Sequence, residues 1–208
     1  MTYLDASEYE AYGLDPTTPD AWVSVASSLM NAYCRRETLA VSQYTERLRL
    51  RNGAATVRLS YLPLAVVPPA TTPLVSARGR YAAPGRMNAG CADWAWEIAQ
   101  VFGLPGTWTD LQTSNIDCCV ETGELVLPGD IWGLGLCEVE VAYTAGFATV
   151  PDAIKCACAQ VVRNALGTPA LNVRAQSLDR MHVEYFSDTL LDQTVRTLLA
   201  PWVAQKVG

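Results

Sequence analysis

The stretch VEVAYTAGFATVPDAIKCACAQVVRNALG, residues 139–167, contains the two clearest structural patterns of the chain, joined by a short corner. Polar and apolar residues alternate up to Tyr143, which is typical of a strand with one half-exposed face. After Gly146 the period changes, and Pro151 is typical of the first position of a helix. The spacing predicts a helix that ends near Gly167. Its expected apolar stripe is Ile154, Ala157, Cys158, Val161, Val162 and Ala165.

The corner between these two elements has the outline of an anion site, because helix N-termini bind phosphates. A phosphate loop needs several glycines, together with a lysine and a hydroxyl side chain aimed at the ligand. The corner TAGFATVPD has one glycine, no lysine and, in Asp152, a carboxylate that would repel a phosphate. We therefore predict that Gly146 and Pro151 form a structural corner and not a binding site.

Upstream, YTERLRLRNGAATVRLSYLP alternates on both sides of Asn52-Gly53, which predicts a β-hairpin. The residues expected to face the core are Leu48, Leu50, Val57, Leu59 and Tyr61. The opposite face carries a basic stripe, made of Arg47, Arg49, Arg51 and Arg58. This stripe is either simply solvated or meets an acidic partner. It has no aromatic residue for stacking, which argues against sequence-specific recognition of nucleic acid.

Two helices are predicted near the N-terminus. In DASEYEAYGLD, Asp5 and Glu8 have the spacing of a capping box and Gly13 is a natural stop. TTPDAWVSVASSLMNAYCRR predicts a longer helix capped by Thr18. Its expected core face is Trp22, Val25, Ala26, Leu29, Met30 and Tyr33.

The remaining patterns are weaker. Residues 61–90 are rich in proline and glycine, which predicts a loop or loosely paired strands. CADWAWEIAQVFG predicts a short helix with Trp94, Ile98 and Val101 on one side, and TWTDLQTSNIDCCVE and GELVLP are strand-like. A last strand, LDRMHVEYFSD, precedes a final helix that Pro201 should end or kink near Leu199.

Charge is strongly segregated along the chain, whose net charge is −6. Residues 1–34 carry −5 and residues 35–86 carry +7. Residues 87–154 carry −10 without a single Lys or Arg, and residues 155–208 carry +2. The basic and acidic blocks pair either within one chain or head to tail between copies. The candidate acidic counter-surface is Glu121, Glu124, Glu138 and Glu140.

Composition argues against several classes of function. Seven cysteines, an odd number without small-scaffold spacing, do not indicate a disulfide framework and are expected to be buried, reduced thiols. His182 is the single histidine, lies in a predicted strand and has no G-x-S-x-G partner motif. We therefore expect no catalytic residue, metal or cofactor. No apolar run could span a bilayer, and no basic-then-apolar leader is present, so we expect a soluble, non-secreted protein without a membrane partner.

Taken in order, the motifs resemble those of the head–tail connector, or neck adaptor, proteins of long-tailed bacteriophages and gene-transfer particles. The chain opens with YLDASEYEAYG and AYCRR and closes with DRMHVEYF and LLAPW. The most specific part is the pattern V-x-Y-x-A-G-[YF]-x-x-V-P-x-x-[IL]-K-x-A. It is matched by Val141, Tyr143, Ala145, Gly146, Phe147, Val150, Pro151, Ile154, Lys155 and Ala157.

The resemblance implies an α+β fold: a small helical bundle core with an inserted β-rich arm, followed by a C-terminal helix and an extended tail. Residues 1–40 would supply the N-terminal helices. Residues 41–148 would form the arm, with an insertion at about 86–113. Residues 149–208 would add the core helix, a strand, the last helix and the tail, in one domain overall.

The resemblance also implies a structural protein of the virion neck, assembled in the host cytoplasm. Its copies would form a ring, a dodecamer in the family, below the portal protein. The ring would surround the DNA channel without specific DNA contacts and would dock the next neck or tail protein. The segment expected to reach the portal contains Leu199, Pro201, Trp202 and Val203. The alternatives are another neck component (a stopper or tail terminator) and a small hydrolase or binding protein that uses His182.

Overall fold

The computed structural model describes residues 2–50, 54–81, 93–104, 106–128, 135–167, 175–178, 181–184 and 190–205. The chain divides into two compact units. A helical unit contains Met1–Leu39 and Thr149–Val203, and a sheet unit contains Ala40–Ala148 and Ala204–Gly208. In chain order, the elements are α1 (Asp20–Tyr33), β1 (Ser42–Arg49), β2 (Thr56–Arg58), β3 (Leu74–Tyr81), α2 (Asp93–Val101), β4 (Trp108–Leu111), β5 (Asp117–Cys119), β6 (Glu124–Val126), β7 (Leu136–Ala145), α3 (Asp152–Gly167), β8 (Ala175–Leu178), β9 (Met181–Glu184) and α4 (Gln193–Leu199).

The helical unit is organised around α3, which packs against α1 and α4. The apolar stripe predicted for α3 is confirmed, because all six of its members are buried. Asn164 is the buried polar exception, and its amide donates hydrogen bonds to the Leu190 carbonyl and to Asp192 Oδ2, both at 3.1 Å. Asp192 also caps α4 by accepting the N–H of Val195 at 2.8 Å. This partly buried polar pair therefore fixes how α4 lies on α3.

The predicted helix α1 is present, but its predicted cap is wrong and its predicted core face is wrong in part. The helix begins after Pro19, and the side chain of Thr18 makes no capping hydrogen bond. The buried face is Val23, Ala26, Ser27 and Met30, whereas Val25 is half exposed. Ser27 can be buried because its hydroxyl donates to the Val23 carbonyl at 2.8 Å within the same helix. Because Ser27 is small and its hydroxyl is hydrogen-bonded, the face of α1 that packs against α3 differs from the one that hydrophobicity alone predicts.

In the sheet unit, two antiparallel sheets share one hydrophobic core. The four-stranded sheet has the order β1-β7-β3-β4, and the three-stranded sheet has the order β2-β6-β5. Alternate residues of both sheets point inward, as expected for strands with one buried face. The shared core contains Leu48, Leu50, Leu59, Leu64, Leu74, Ala77, Ile116, Leu125, Leu127, Val139, Val141, Tyr143 and Ala145.

The hairpin predicted around Asn52-Gly53 is wrong in its pairing. β1 pairs with β7, and β2 pairs with β6, so the two strands belong to different sheets. The inward-facing assignment is nevertheless confirmed, since Leu48, Leu50 and Leu59 are buried. Residues 51–53, including the Asn-Gly turn, lie outside the described residues. The partners of both strands lie far away in sequence, in the acidic block of residues 87–154.

The prediction of a loop or loosely paired strands for residues 61–90 is wrong over β3, which lies between β7 and β4 inside the four-stranded sheet. The prolines that argued against a strand all precede Leu74, so they remove no donor from the paired stretch. Pro73 contributes instead through its carbonyl, which accepts the N–H of Thr144 at 2.9 Å.

The predicted fold class, a small helical bundle with an inserted β-rich arm, is wrong. The fold is mixed, with strands about as common as helices, and the described residues contain no closed barrel. The sheet unit has its own core and is not an appendage. The C-terminal tail is also not extended at its start, because Ala200–Trp202 form a 3₁₀ turn directly after α4. The prediction that Pro201 ends the helix near Leu199 is confirmed.

The short helix predicted from CADWAWEIAQVFG is confirmed as α2, which together with β4 falls in the predicted insertion. Its apolar side chains Trp94, Ile98 and Val101 are exposed, as is Phe102. None of the helices in the described ranges combines the length and the apolar character that crossing a bilayer requires.

Candidate functional site

The outward side of the four-stranded sheet carries four of the five ion pairs between described residues. Because side chains alternate along a strand, the residues between the buried positions all point away from the core. We call this surface the arginine face. Its members are Arg47 and Arg49 on β1, Arg78 and Arg80 on β3, Glu138 and Glu140 on β7, and Trp108 and Asp110 on β4.

The strand register arranges these side chains in two rows. One row runs Arg49, Glu138, Arg80 and Trp108 across the four strands. The neighbouring row runs Arg47, Glu140, Arg78 and Asp110. Each glutamate therefore has an arginine directly opposite on both sides, which is the favourable order for cross-strand charges.

Glu138 is the centre of this arrangement. It forms ion pairs with Arg47, with Arg49 Nε at 3.4 Å and with Arg80 Nη1 at 3.6 Å. Glu140 pairs with Arg78 Nη2 at 2.7 Å. The hydrogen bond from Arg47 holds the pKa of Glu138 below its usual range. Partial burial opposes this shift, and the nearby charges of Arg80 and Arg49 add to it.

Exposure differs sharply between the two kinds of charge. The Glu138 side chain is 12% exposed, whereas the Arg49 side chain is 84% exposed. The face has four guanidinium groups and three carboxylates, and three of those guanidinium groups share Glu138. Glu138 and Glu140 are thus covered by the arginines, and a positive surplus points toward solvent.

Trp108 adds to the arginine face an aromatic ring, which the predicted basic stripe lacked. The guanidinium carbons of Arg47 and Arg78 each lie 5.1 Å from the centre of its ring, within the range of a cation–π interaction. The sequence analysis missed Trp108, Arg78 and Arg80 because they belong to strands that were not paired with the predicted hairpin. The alternation of arginines in ARGRY is the one local signal that could have identified β3.

We predict that Glu138→Gln lowers the free energy of unfolding by about 1 kcal/mol at pH 7, since one partly exposed carboxylate with several arginine partners contributes in that range. Because the folded pKa is depressed, the contribution of Glu138 is complete above its ordinary value of 4.5 and is lost as the pH falls below that value. Urea unfolding at pH 7 and pH 3 should show a difference between wild type and variant at pH 7 only.

Asp117→Asn is a matched control, because Asp117 is exposed on β5 and forms no ion pair with any described residue. It should change stability by a few tenths of a kcal/mol at most. A Glu138→Gln difference that persists unchanged at pH 3 would contradict the assigned ion pairs.

The other charged residues of the predicted surfaces lie on the three-stranded sheet. Arg58 is opposite Glu124 in the register of β2 and β6, and its Nε donates to the Thr122 carbonyl at 3.2 Å. Glu121 is exposed in the turn between β5 and β6. Arg51 lies outside the described residues. The fold therefore brings Glu138 and Glu140 together with Arg47 and Arg49, and separates Arg58, Glu121 and Glu124 from them.

The predicted corner follows β7. Gly146 has φ of 120°, a conformation that L side chains rarely adopt, and its N–H donates to the Pro63 carbonyl at 2.9 Å. Pro151 directly precedes α3, and its carbonyl accepts the N–H of Ile154 at 3.0 Å. The chain leaves the sheet unit and enters the helical unit between Ala148 and Thr149.

The predicted portal segment is only partly at the surface. Leu199 is fully buried in the helical unit, whereas Pro201 is exposed and Trp202 and Val203 are half-buried. The Trp202 carbonyl accepts a hydrogen bond from Arg36 Nη2 at 2.6 Å. The role of these residues in binding a portal stays a prediction, but Leu199 has a structural role of its own.

The thiols in the described part of the chain indicate no further site. Every described cysteine is free. Cys34 and Cys158 are buried, but Cys119 and Cys156 are exposed, so the expectation that all the thiols are buried is wrong. In the described part of the chain, no group of His, Cys, Asp and Glu side chains could hold a metal ion. His182 lies on β9 opposite Ser177, and its side chain and Cys91 fall outside what the structure describes.

Comparison with known proteins leaves the question of family open. No family model matches the chain, and no curated protein matches it. The resemblance to phage neck proteins therefore stays a prediction that depends on the motifs themselves. What the chain does has to be argued from its own residues.

Proposed function

We propose that the protein is a structural subunit of the neck of a long-tailed bacteriophage or related particle. Copies of the chain would form a ring below the portal, around the channel through which DNA passes. The ring would then offer the docking surface for the next neck or tail protein. In this role the chain needs contact surfaces and a stable frame, and it needs no catalytic group.

The observation that carries this proposal is where the residues of the most specific motif lie in the structure. Tyr143 and Ala157 are fully buried, in β7 and α3 respectively. Gly146 occupies a backbone conformation that favours glycine, and Pro151 precedes the helix. Each of these motif residues therefore has a physical reason to be what it is, as expected if the motif marks the joint between strand and helix in such proteins.

The arginine face supports the same proposal in a second way. Arginine and tryptophan are over-represented among the residues that dominate protein–protein binding energies. A sheet surface with four arginines, two of which lie over the Trp108 ring, is suited to contact another protein. The predicted fold class was wrong, so we rest the proposal on the motif and on this surface, and not on a shared architecture.

The proposal predicts that a portal protein is encoded near this gene, and that protein is the partner used in the test. Purified chain and portal should form a complex that elutes together on size exclusion and shows a ring beneath the portal in electron micrographs. Failure of the wild-type chain to bind that portal, at micromolar concentrations of both, would overturn the proposal.

Trp202→Ala tests the predicted portal segment. The change keeps the backbone carbonyl that Arg36 uses, and it should weaken portal binding at least tenfold if the indole is an anchor. Val75→Ala is the control, because Val75 is an exposed apolar residue of β3 in the other unit. Equal portal binding by wild type and both variants would remove Trp202 from the contact while leaving the neck role intact.

A further inference from the structure

The three-stranded sheet has an outer surface of opposite charge to the arginine face. We call it the acidic face, and define it by Asp117, Val120, Glu121, Glu124, Val126 and Arg58. Arg58, Asp117, Glu124 and Val126 alternate with Val57, Cys118 and Leu125, whose side chains point into the core. Val120 and Glu121 lie in the adjoining turn. The acidic face carries three carboxylates against one guanidinium group.

The carboxylates of the acidic face are available to a partner. Asp117, Glu121 and Glu124 are all exposed, and none of them forms an ion pair with a residue in the described ranges. The one basic neighbour, Arg58, directs its Nε to the Thr122 carbonyl. Val120 and Val126 are each 42% exposed and lie among these acids, with Val126 directly opposite Asp117.

The two faces point in opposite directions. Both sheets turn their inner side chains into the same core, which joins Leu125 of the three-stranded sheet to Val139 and Val141 of the four-stranded sheet. Side chains of the outer positions must therefore project from opposite sides of the sheet unit. One sheet unit cannot bring its own two faces together, but a second copy can present its acidic face to the first copy's arginine face.

We infer that copies of this chain associate head to tail, with the arginine face of one sheet unit on the acidic face of the next. The occupant of the arginine face is thus a second copy. The positive surplus shared by Arg47, Arg49 and Arg80 meets the unpaired carboxylates, and Trp108 meets exposed valines. This deepens the proposed function by naming the contact within the ring, and it rests on that function only for its biological setting.

The symmetry of the contact follows from its geometry. Two different surfaces on opposite sides of one sheet unit form a heterologous contact, which repeats until a ring closes or a filament grows. A closed dimer would use the same surface twice and would place arginines against arginines. Association through these faces should also weaken as salt increases, because exposed charges are screened.

The test is a charge exchange in the full-length chain. Arg49→Glu and Glu121→Arg each change one highly exposed residue, and each should weaken self-association at least tenfold in sedimentation or light-scattering measurements at low salt. The double variant restores one opposite-charge pair at every contact, so it should recover most of the association. An equimolar mixture of the two single variants should also associate, in alternating order.

Arg163→Glu and Glu10→Arg are matched controls, because both residues are exposed and lie in the helical unit. They should leave association unchanged, and circular dichroism should show that all variants are folded. A wild type that stays monomeric at low salt and high concentration would overturn the inference. So would single variants that associate like wild type, or a double variant that stays as weak as the singles. Portal binding by the single variants separates this contact from the neck role, since loss of self-association with retained portal binding affects only the contact.

Discussion

Gly146→Ala is expected to lower the free energy of unfolding by about 3 kcal/mol or more. A methyl group on Gly146 would overlap the carbonyl oxygen of Ala40 and would lie 2.5 Å from its carbonyl carbon and 2.8 Å from Val41 N. All three obstacles are backbone atoms, so no flexible side chain can move away. The backbone conformation at φ of 120° adds strain of roughly 1–3 kcal/mol for a residue with a Cβ.

Gly106→Ala separates the two causes. Gly106 also has positive φ, at 80°, but an added Cβ would meet nothing within 4 Å. This control should therefore cost about 1 kcal/mol, from backbone strain alone. Urea unfolding followed by circular dichroism measures both variants. Equal losses at the two positions would show that the approach of Ala40 to Gly146 is not tight.

The strand–corner–helix stretch could be predicted from the sequence because every signal in it is local. The apolar stripe of α3 repeats at helical spacing without interruption, and Gly146 and Pro151 have conformational requirements of their own. The hairpin failed for the opposite reason. Asn52-Gly53 is a local turn signal, but which strand lies beside β1 is decided by burial of Leu48 and Leu50 in a core built from distant residues.

The arginine face shows the same limit for the candidate site. Alternation identified Arg47 and Arg49 on one strand and Glu138 and Glu140 on another, and it gave the correct outward side for each. It could not show that β7 lies between β1 and β3, and hence that the glutamates sit among the arginines. Strand order depends on long-range pairing, for which a single sequence has no periodic signal.

The charge blocks acquire a more specific meaning in the structure. Part of the acidic block, Glu138 and Glu140, neutralises part of the basic block within the chain. Another part, Asp117, Glu121 and Glu124, remains exposed on the other sheet. Pairing within the chain and pairing between copies are therefore compatible, because they use different carboxylates. Only the second kind should respond to substitutions at Glu121.

Leu199→Ala is expected to lower the free energy of unfolding by about 3 kcal/mol, within the range for a fully buried leucine. Leu199 is the last residue of α4, and it is buried together with Val195 in the helical unit. The substitution removes apolar contacts and leaves a cavity at the end of the helix, so thermal or urea unfolding should show the loss directly.

Pro201→Ala is the natural control, because Pro201 lies two residues further on and is exposed. It should change the unfolding free energy by less than about 1 kcal/mol. The pair also decides how a portal-binding defect is interpreted. If Leu199→Ala weakens portal binding in proportion to its loss of folded protein, Leu199 acts by stabilising the helical unit and not by direct contact with the portal. A Leu199→Ala variant as stable as wild type would contradict the packing of α4, and with it the structural role assigned to Leu199.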